Sequence, residues 1–264
     1  MKSTSYSFPC VCSNTRIKEY PSFSVLQVAN SNLFRDPAFE PQKREYSVSS
    51  KGNAKDPERS LESSRARARA AVRDIALCNH FTYFFTWTLD PDLINRYDAD
   101  KVLKAVQTFL KNSSRRKNFE YVCVPELHED GAIHFHGFCN LGDVRISPAI
   151  NPYTGKPMFT NRNQQIFNMV DWRLGFSTCI PIDEHYERAC NYLTKYLSKG
   201  KTKIFGKWYF CSRHLRKKPD IEFIAFGSDF DEFREQYPFA NVSSIYNDVM
   251  IASQKFDKDG LPCE

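Results

Sequence analysis

Between Phe81 and Asn140 the hydrophobic period of the chain changes from two to about 3.6 and back to two, which sharply limits the folds open to it. The run FTYFFTWTL (81–89) alternates Phe81, Tyr83, Phe85 and Trp87 against Thr82, Phe84, Thr86 and Thr88. It is aromatic and β-branched, ends at Asp90-Pro91, and predicts a strand. Asp100 to Lys111 then sets Val102, Leu103, Val106, Phe109 and Leu110 at helical spacing. EYVCVPEL and AIHFHGFCNL predict two strands around a Glu129-Asp130-Gly131 turn. Residues 141–165, with Pro148, Pro152, Gly155 and Pro157, read as a loop or short excursion. A strand near Phe176 to Ile182 follows, then a helix from about Glu184 to Lys199 closed by Gly200 in a left-handed cap, then a strand over Ile204–Cys211. The resulting order, β-α-β-β-(insert)-α-β, is the split βαβ arrangement of α+β ferredoxin-like folds. It predicts a central, mostly antiparallel sheet backed by helices, with His-x-His on one strand and a tyrosine-bearing helix packed nearby.

Outside this core the sequence divides into three parts: an irregular N-terminal arm (1–56) with one strand near Phe23 to Val28, a main domain (57–224), and an acidic C-terminal segment (225–264). The main domain opens with a basic helix from Pro57 to Cys78, its proline at a first helical position after Asp56. Charge is unevenly spread. Arg188 to Lys218 holds ten Lys or Arg and no acid, whereas Pro219 to Glu264 holds ten acids against three bases. The basic block is interleaved with Tyr192, Tyr196, Phe205, Trp208, Tyr209 and Phe210, as suits a surface that neutralises phosphates and stacks bases. No apolar run reaches the roughly 18 to 20 residues of a membrane span, and the polar start has no signal-peptide core, so a cytoplasmic protein with no membrane partner is expected. The nine cysteines are scattered without a C-x-x-C pair and read as reduced packing residues.

His134 and His136 lie one residue apart in an apolar strand, and alternation points both imidazoles to one face. Two neutral imidazoles are a platform for a divalent metal, but a third donor is required. A three-residue loop with Gly131 in the left-handed position pairs Glu126 with His134 and puts its carboxylate on the histidine face; a two-residue loop sends it to the other side. Glu126, His134 and His136 together suit Mg2+ or Mn2+ acting on a phosphodiester, with His128 as a further ligand or supporting group. On the later helix Tyr192, Lys195, Tyr196 and Lys199 fall in one arc, joined by Arg188, while Ala189, Leu193 and Leu197 fill the arc beside it. Phenols flanked by ammonium groups supply a nucleophile and charge stabilisation for phosphoryl transfer.

FFTWTLDP (84–91), VPELHEDGAIHFHGF (124–138) and NYLTKYLSKG (191–200), with DWRLGFSTC (171–179) and CSRHLRKKP (211–219), resemble the motifs of rolling-circle replication initiators. These belong to the His-hydrophobic-His (HUH) endonuclease superfamily, and the likeness is to the replication proteins of small single-stranded DNA phages and related elements. It spans roughly residues 57 to 224. The resemblance implies that Glu126, His134 and His136 hold the metal against a scissile phosphate. It implies attack by Tyr196 or Tyr192, leaving a 3′-OH and a 5′-phosphotyrosine, with Lys195 and Lys199 neutralising charge and the second tyrosine serving later rejoining. Arg188, Arg213, Arg216, Lys217, Lys218, Thr86 and Thr88 are the expected contacts to single-stranded origin DNA. No G-x-x-x-x-G-K-[ST] phosphate loop is present, since Gly200-Lys201-Thr202 lacks the required earlier glycine, so unwinding and synthesis fall to a host helicase and polymerase. Relaxases and transposases share this chemistry. A non-catalytic single-stranded DNA-binding module is the other reading of the basic block.

Overall fold

The computed structural model describes residues 12–36, 38–39, 55–199, 202–246 and 248–263, with only the backbone of Lys199 and Tyr246. In chain order the elements begin with β1 (Cys12–Ser13), β2 (Thr15–Glu19), β3 (Ser24–Ala29), β4 (Phe34–Arg35), α1 (Pro57–Asn79) and β5 (Tyr83–Leu89). There follow α2 (Ala99–Lys117), β6 (Glu120–Leu127), β7 (Ile133–Asn140), β8 (Ile146–Pro148), β9 (Phe167–Met169) and β10 (Gly175–Pro181). The chain ends with α3 (Tyr186–Lys199), β11 (Phe210–Cys211), β12 (Asp220–Ile224), α4 (Phe230–Gln236), β13 (Asn241–Tyr246) and β14 (Val249–Phe256). The fold is α+β, with antiparallel strand pairing throughout the described sheets. No described helix is long and apolar enough to cross a membrane.

The chain forms two compact units, one within Ser49–Lys218 and one within Met1–Val48 plus Pro219–Glu264. The second unit is a five-stranded sheet in the order β12-β2-β3-β14-β13. Phe230 and Phe233 of α4 pack on Val28 and Ala252 of this sheet, and Asp229 caps α4 by accepting from the Asp231 and Glu232 amides. Residues 12–35 are thus not the irregular arm expected from the sequence. They carry four strands, and β2 and β3 find their other partners in β12 and β14, about 200 residues away, beyond the reach of local periodicity.

The larger unit is built on a seven-stranded sheet in the order β11-β6-β7-β5-β10-β9-β8. β7 lies between β5 and β6, so the β5-α2-β6 crossover is split by the hairpin strand. The inserted segment differs from expectation: its β8 and β9 extend the sheet beyond β10, and α3 follows β10 directly. The last expected strand shrinks to Phe210–Cys211 at the opposite edge. Helix boundaries follow local chemistry. Asp56 caps α1 through the Arg59 amide, with Pro57 at the first position, and Asp98 caps α2 through the Lys101 amide. Asn118 closes α2 in the left-handed region, while the predicted Gly200 cap lies outside the described residues.

Alternation gives the sheet two unlike faces. Phe85, Trp87, Ile133, Phe135 and Cys139 are buried with Val102, Val106 and Leu110 of α2, and Trp87 stacks on Trp172 at 4.3 Å. Gly137 is required here by close approach, because a Cβ would stand 2.5 Å from the Val122 carbonyl oxygen and 2.5 Å from the Phe85 ring. On the other face α1 and α3 pack together. They bury Val72, Ile75 and Ala76 from one helix and Cys190, Leu193 and Leu197 from the other. Tyr186 ties them to the sheet: its hydroxyl donates to the Ala76 carbonyl at 2.7 Å and accepts from the Phe81 amide at 2.9 Å. Cys78, Cys123, Cys139, Cys179 and Cys190 are buried free thiols. Burial pushes the Cys190 thiol up to about 12, so it stays protonated and unreactive.

Candidate nucleic-acid cleavage site

The hairpin between β6 and β7 places the carboxylate. Gly131 adopts φ +84°, the His128 amide donates to the Ala132 carbonyl at 2.8 Å, and Glu126 pairs with His134. This is the three-residue loop, so Glu126 shares the histidine face. Asp130 holds the turn, accepting from the Ala132 amide at 2.9 Å and pairing with Arg96 at 2.9 Å.

β5 orients the imidazoles. Thr86 Oγ1 lies 3.1 Å from His136 Nδ1, and Thr88 Oγ1 lies 3.3 Å from His134 Nδ1. The sequence puts both threonines at the DNA surface; the structure gives their hydroxyls the histidine rings as partners. A hydroxyl accepting from Nδ1–H fixes the tautomer that leaves an Nε2 lone pair for ligation. His136 Nε2 is 2.9 Å from Glu126 Oε2, and both side chains are nearly buried. Burial, and then the neighbouring His128, hold the His134 imidazole below the usual histidine range, so it is neutral at pH 7. His128 stacks on His134 at 5.0 Å but is itself exposed.

Among the described residues no three His, Cys, Asp or Glu side chains form a ready metal-ligating group. Glu126 and His136 are brought together; His134 is the neighbouring position on their face of the sheet. In kind, one carboxylate and neutral imidazoles with threonine-held Nδ1 atoms fit a divalent ion that keeps open positions.

α3 lays its tyrosines over this pair. The Tyr196 ring stacks on His136 with centroids 3.7 Å apart and planes 10° from parallel. Its hydroxyl donates to Tyr192 Oη at 2.6 Å. Burial first, then the bond to Tyr192 and the charge of Glu126, push the Tyr196 phenol above the usual tyrosine range. Ionisation therefore requires a nearby positive charge. Tyr192 is half-exposed and rests against Phe84 at 5.6 Å. The stripe beneath, Cys190, Leu193 and Leu197, is fully buried, which locks the rotation of α3. Lys195 stands exposed on the helix. The side chain of Lys199 lies outside the described residues.

A cavity of about 460 Å³ opens beside Tyr196, lined also by Glu126, His128, Thr202, Lys207 and Trp208. Trp208 is fixed by a 3.1 Å bond from its Nε1 to Ser64 of α1. A second cavity, about 690 Å³, runs past Tyr192 and contains Arg188, with Phe84, Arg162 and His185. Arg213 lines neither of these. Arg216, Lys217 and Lys218 are exposed, and the backbone of Arg216 is clasped by both amide atoms of Asn79 at 2.7 and 3.0 Å. Sequence reading missed Phe84, Lys207, Trp208 and Phe176. Phe84 and Phe176 were legible in principle, since alternation puts them on the histidine face. Phe176 pairs with Thr88, which pairs with His134, and it is 69% exposed.

Searches of curated proteins and of solved structures found no match. Over residues 82–201, just under half the chain, the sequence matches the family described as replication-associated protein ORF2. That stretch contains β5, the β6–β7 hairpin and α3, so the similarity covers the site just described and points to a protein of DNA replication.

Proposed function

We propose that the chain initiates rolling-circle replication by nicking single-stranded origin DNA through tyrosine transesterification. The observation that carries this is the stacking of Tyr196 on His136, itself bonded to Glu126: a phenol nucleophile lies against a carboxylate-imidazole pair. A Mg2+ or Mn2+ ion held by Glu126, His136 and His134 would polarise the phosphate oxygens and favour the phenolate.

The residues of the chain divide the remaining work. Tyr196 Oη forms the bond to phosphorus while the bond from phosphorus to the 3′ oxygen breaks; the phenol proton leaves along the bond to Tyr192, and the departing oxygen takes up a proton as 3′-OH. Tyr196 attacks first, being the tyrosine nearer Glu126 and His136. Tyr192, half-exposed at the neighbouring cavity, is placed for the second strand and the rejoining step. Phe176 offers a nucleobase a face on the same row as His134, and Arg188 offers its flanking phosphate a cation. A host helicase and polymerase would supply unwinding and synthesis, and the cytoplasm is where they meet.

The test is incubation with Mn2+ and single-stranded oligonucleotides tiling the DNA that encodes the chain. A covalent protein-DNA adduct whose first appearance requires Tyr196, with a free 3′ end on the other product, is the expected result. Salt-sensitive binding with no adduct on any oligonucleotide would instead establish a binding module.

A further inference from the structure

Lys207 lines two cavities. One is the cavity beside Tyr196 and Glu126; the other, of about 890 Å³, lies between α2 and β11. The second is lined by Lys111, Arg115, Lys207 and Arg213, and by no acidic side chain. Lys111 and Arg115 are one helical turn apart on the same face of α2, while Lys207 precedes β11 and Arg213 follows it. Neither helix cation belongs to the basic block read from the sequence. Only the fold brings them to it.

Like charges gathered in this way repel, and no carboxylate of the cavity wall offsets them. Glu120, at the start of β6, is already engaged by His214 Nε2 at 3.2 Å and by Asn140 Nδ2 at 2.9 Å. The apolar wall, from Tyr121 and Phe210, packs on the core and gives the cations a firm backing. Such a cavity suits an anion. Its size, its four separately mounted cations and its continuity through Lys207 with the tyrosine cavity fit a chain of phosphates better than a single one.

We propose that this cavity seats the backbone phosphates of single-stranded DNA adjoining the cleaved bond, with Lys207 at the threshold. The proposal rests on the DNA reading above for its ligand. Recognition there is of charge and spacing, and so independent of base sequence.

The test compares K111E/R115E with R116E/K156E, which makes the same charge change at exposed positions outside the cavity. Binding of a fluorescent oligothymidine of roughly 30 nucleotides is followed against salt; for a single strand the log-log slope flattens by about 0.7 for every phosphate left without its cation. The first variant is expected to lose about 1.4 from that slope, and the control to keep the wild-type value. K111Q/R115Q, which cannot repel DNA or strain the helix, should give the same direction. An unchanged slope, or an equal loss in the control, overturns the proposal. So does inorganic phosphate that displaces the oligonucleotide beyond chloride of equal ionic strength and does so only when Lys111 and Arg115 are present, because the seat then belongs to a small phosphate. If the wild type forms no adduct but the slope difference stands, the cleavage reading fails and this DNA seat remains.

Discussion

The two faces of β5 and β7 carry opposite chemistry at alternate residues. Phe85, Trp87 and Phe135 look into a dry aromatic layer against α2, while Thr86, Thr88, His134 and His136 look toward the tyrosine helix. The difference teaches how a polar site is held still. Each polar pair on the site face is braced by a buried residue between its members in the chain: Trp87 sits between the two threonines and Phe135 between the two histidines. The polar face does not need to hold itself in place.

That division predicts that chemistry and stability separate. The largest effect is expected from Y192F/Y196F, which removes both nucleophilic oxygens and should abolish adduct formation while moving the thermal midpoint little. Residual adduct mapping to another residue would move the reaction off α3. Trp87→Ala should do the reverse, costing about 3–5 kcal/mol of stability by cavity formation, as measured by denaturant unfolding. Activity per folded molecule should be far less affected. A Trp87→Ala protein that stays fully stable would show that the aromatic layer is not what fixes the site.

A smaller effect probes the contact between the faces. Thr86→Val and Thr88→Val keep the strand shape but remove the hydroxyls at His136 and His134 Nδ1. Loss of such supporting bonds lowers metal affinity or activity by roughly ten- to a hundred-fold. The expected outcome is a raised Mn2+ requirement in the cleavage assay with unchanged binding of DNA. Weakened DNA binding with a normal Mn2+ requirement would return both threonines to the DNA surface.

Much of this site could be read from sequence because it is local. The period-two alternation of FTYFFTWTL and AIHFHGF assigns each residue to a face, and one glycine at position 131 sets the hairpin register that decides where Glu126 points. The arc of Tyr192 and Tyr196 follows from helical geometry and the buried Leu193 and Leu197. What could not be read depends on distant partners. β3 and β14 pair across more than 200 residues, and a polar run such as TRIKE gives no local sign of which strand will lie beside it. In the sequence Lys111 is one more solvated helix lysine; only the placement of β11 brings Lys207 and Arg213 to it. The expected role of Thr86 and Thr88 illustrates a subtler gap: alternation gives their face correctly, but only the pairing of β5 with β7 shows what they touch.

The smallest effect concerns the dry side. Asp171, in the inserted segment, accepts from Lys117 at the end of α2 and from the backbone and guanidinium of Arg145, the latter at 3.0 and 2.9 Å. Burial alone would raise its pKa, but these bonds overcome it and hold the carboxyl well below the ordinary carboxylate range. A depressed folded value means that the unfolded chain binds the proton more readily, so the contribution is complete above the unfolded pKa of about 4 and disappears as pH falls through the folded one. Asp171→Asn should therefore cost about 1–2 kcal/mol near pH 7, a figure reduced because Lys117 is partly exposed to solvent. The gap between wild type and variant should stay constant down to about pH 5 and then close with further acid. Because Asp171 anchors α2 behind the aromatic layer, the cleavage rate of folded Asp171→Asn should match wild type. A variant that keeps its stability but loses activity would mean that the two faces are coupled through the inserted segment, and that the separation drawn between them does not hold.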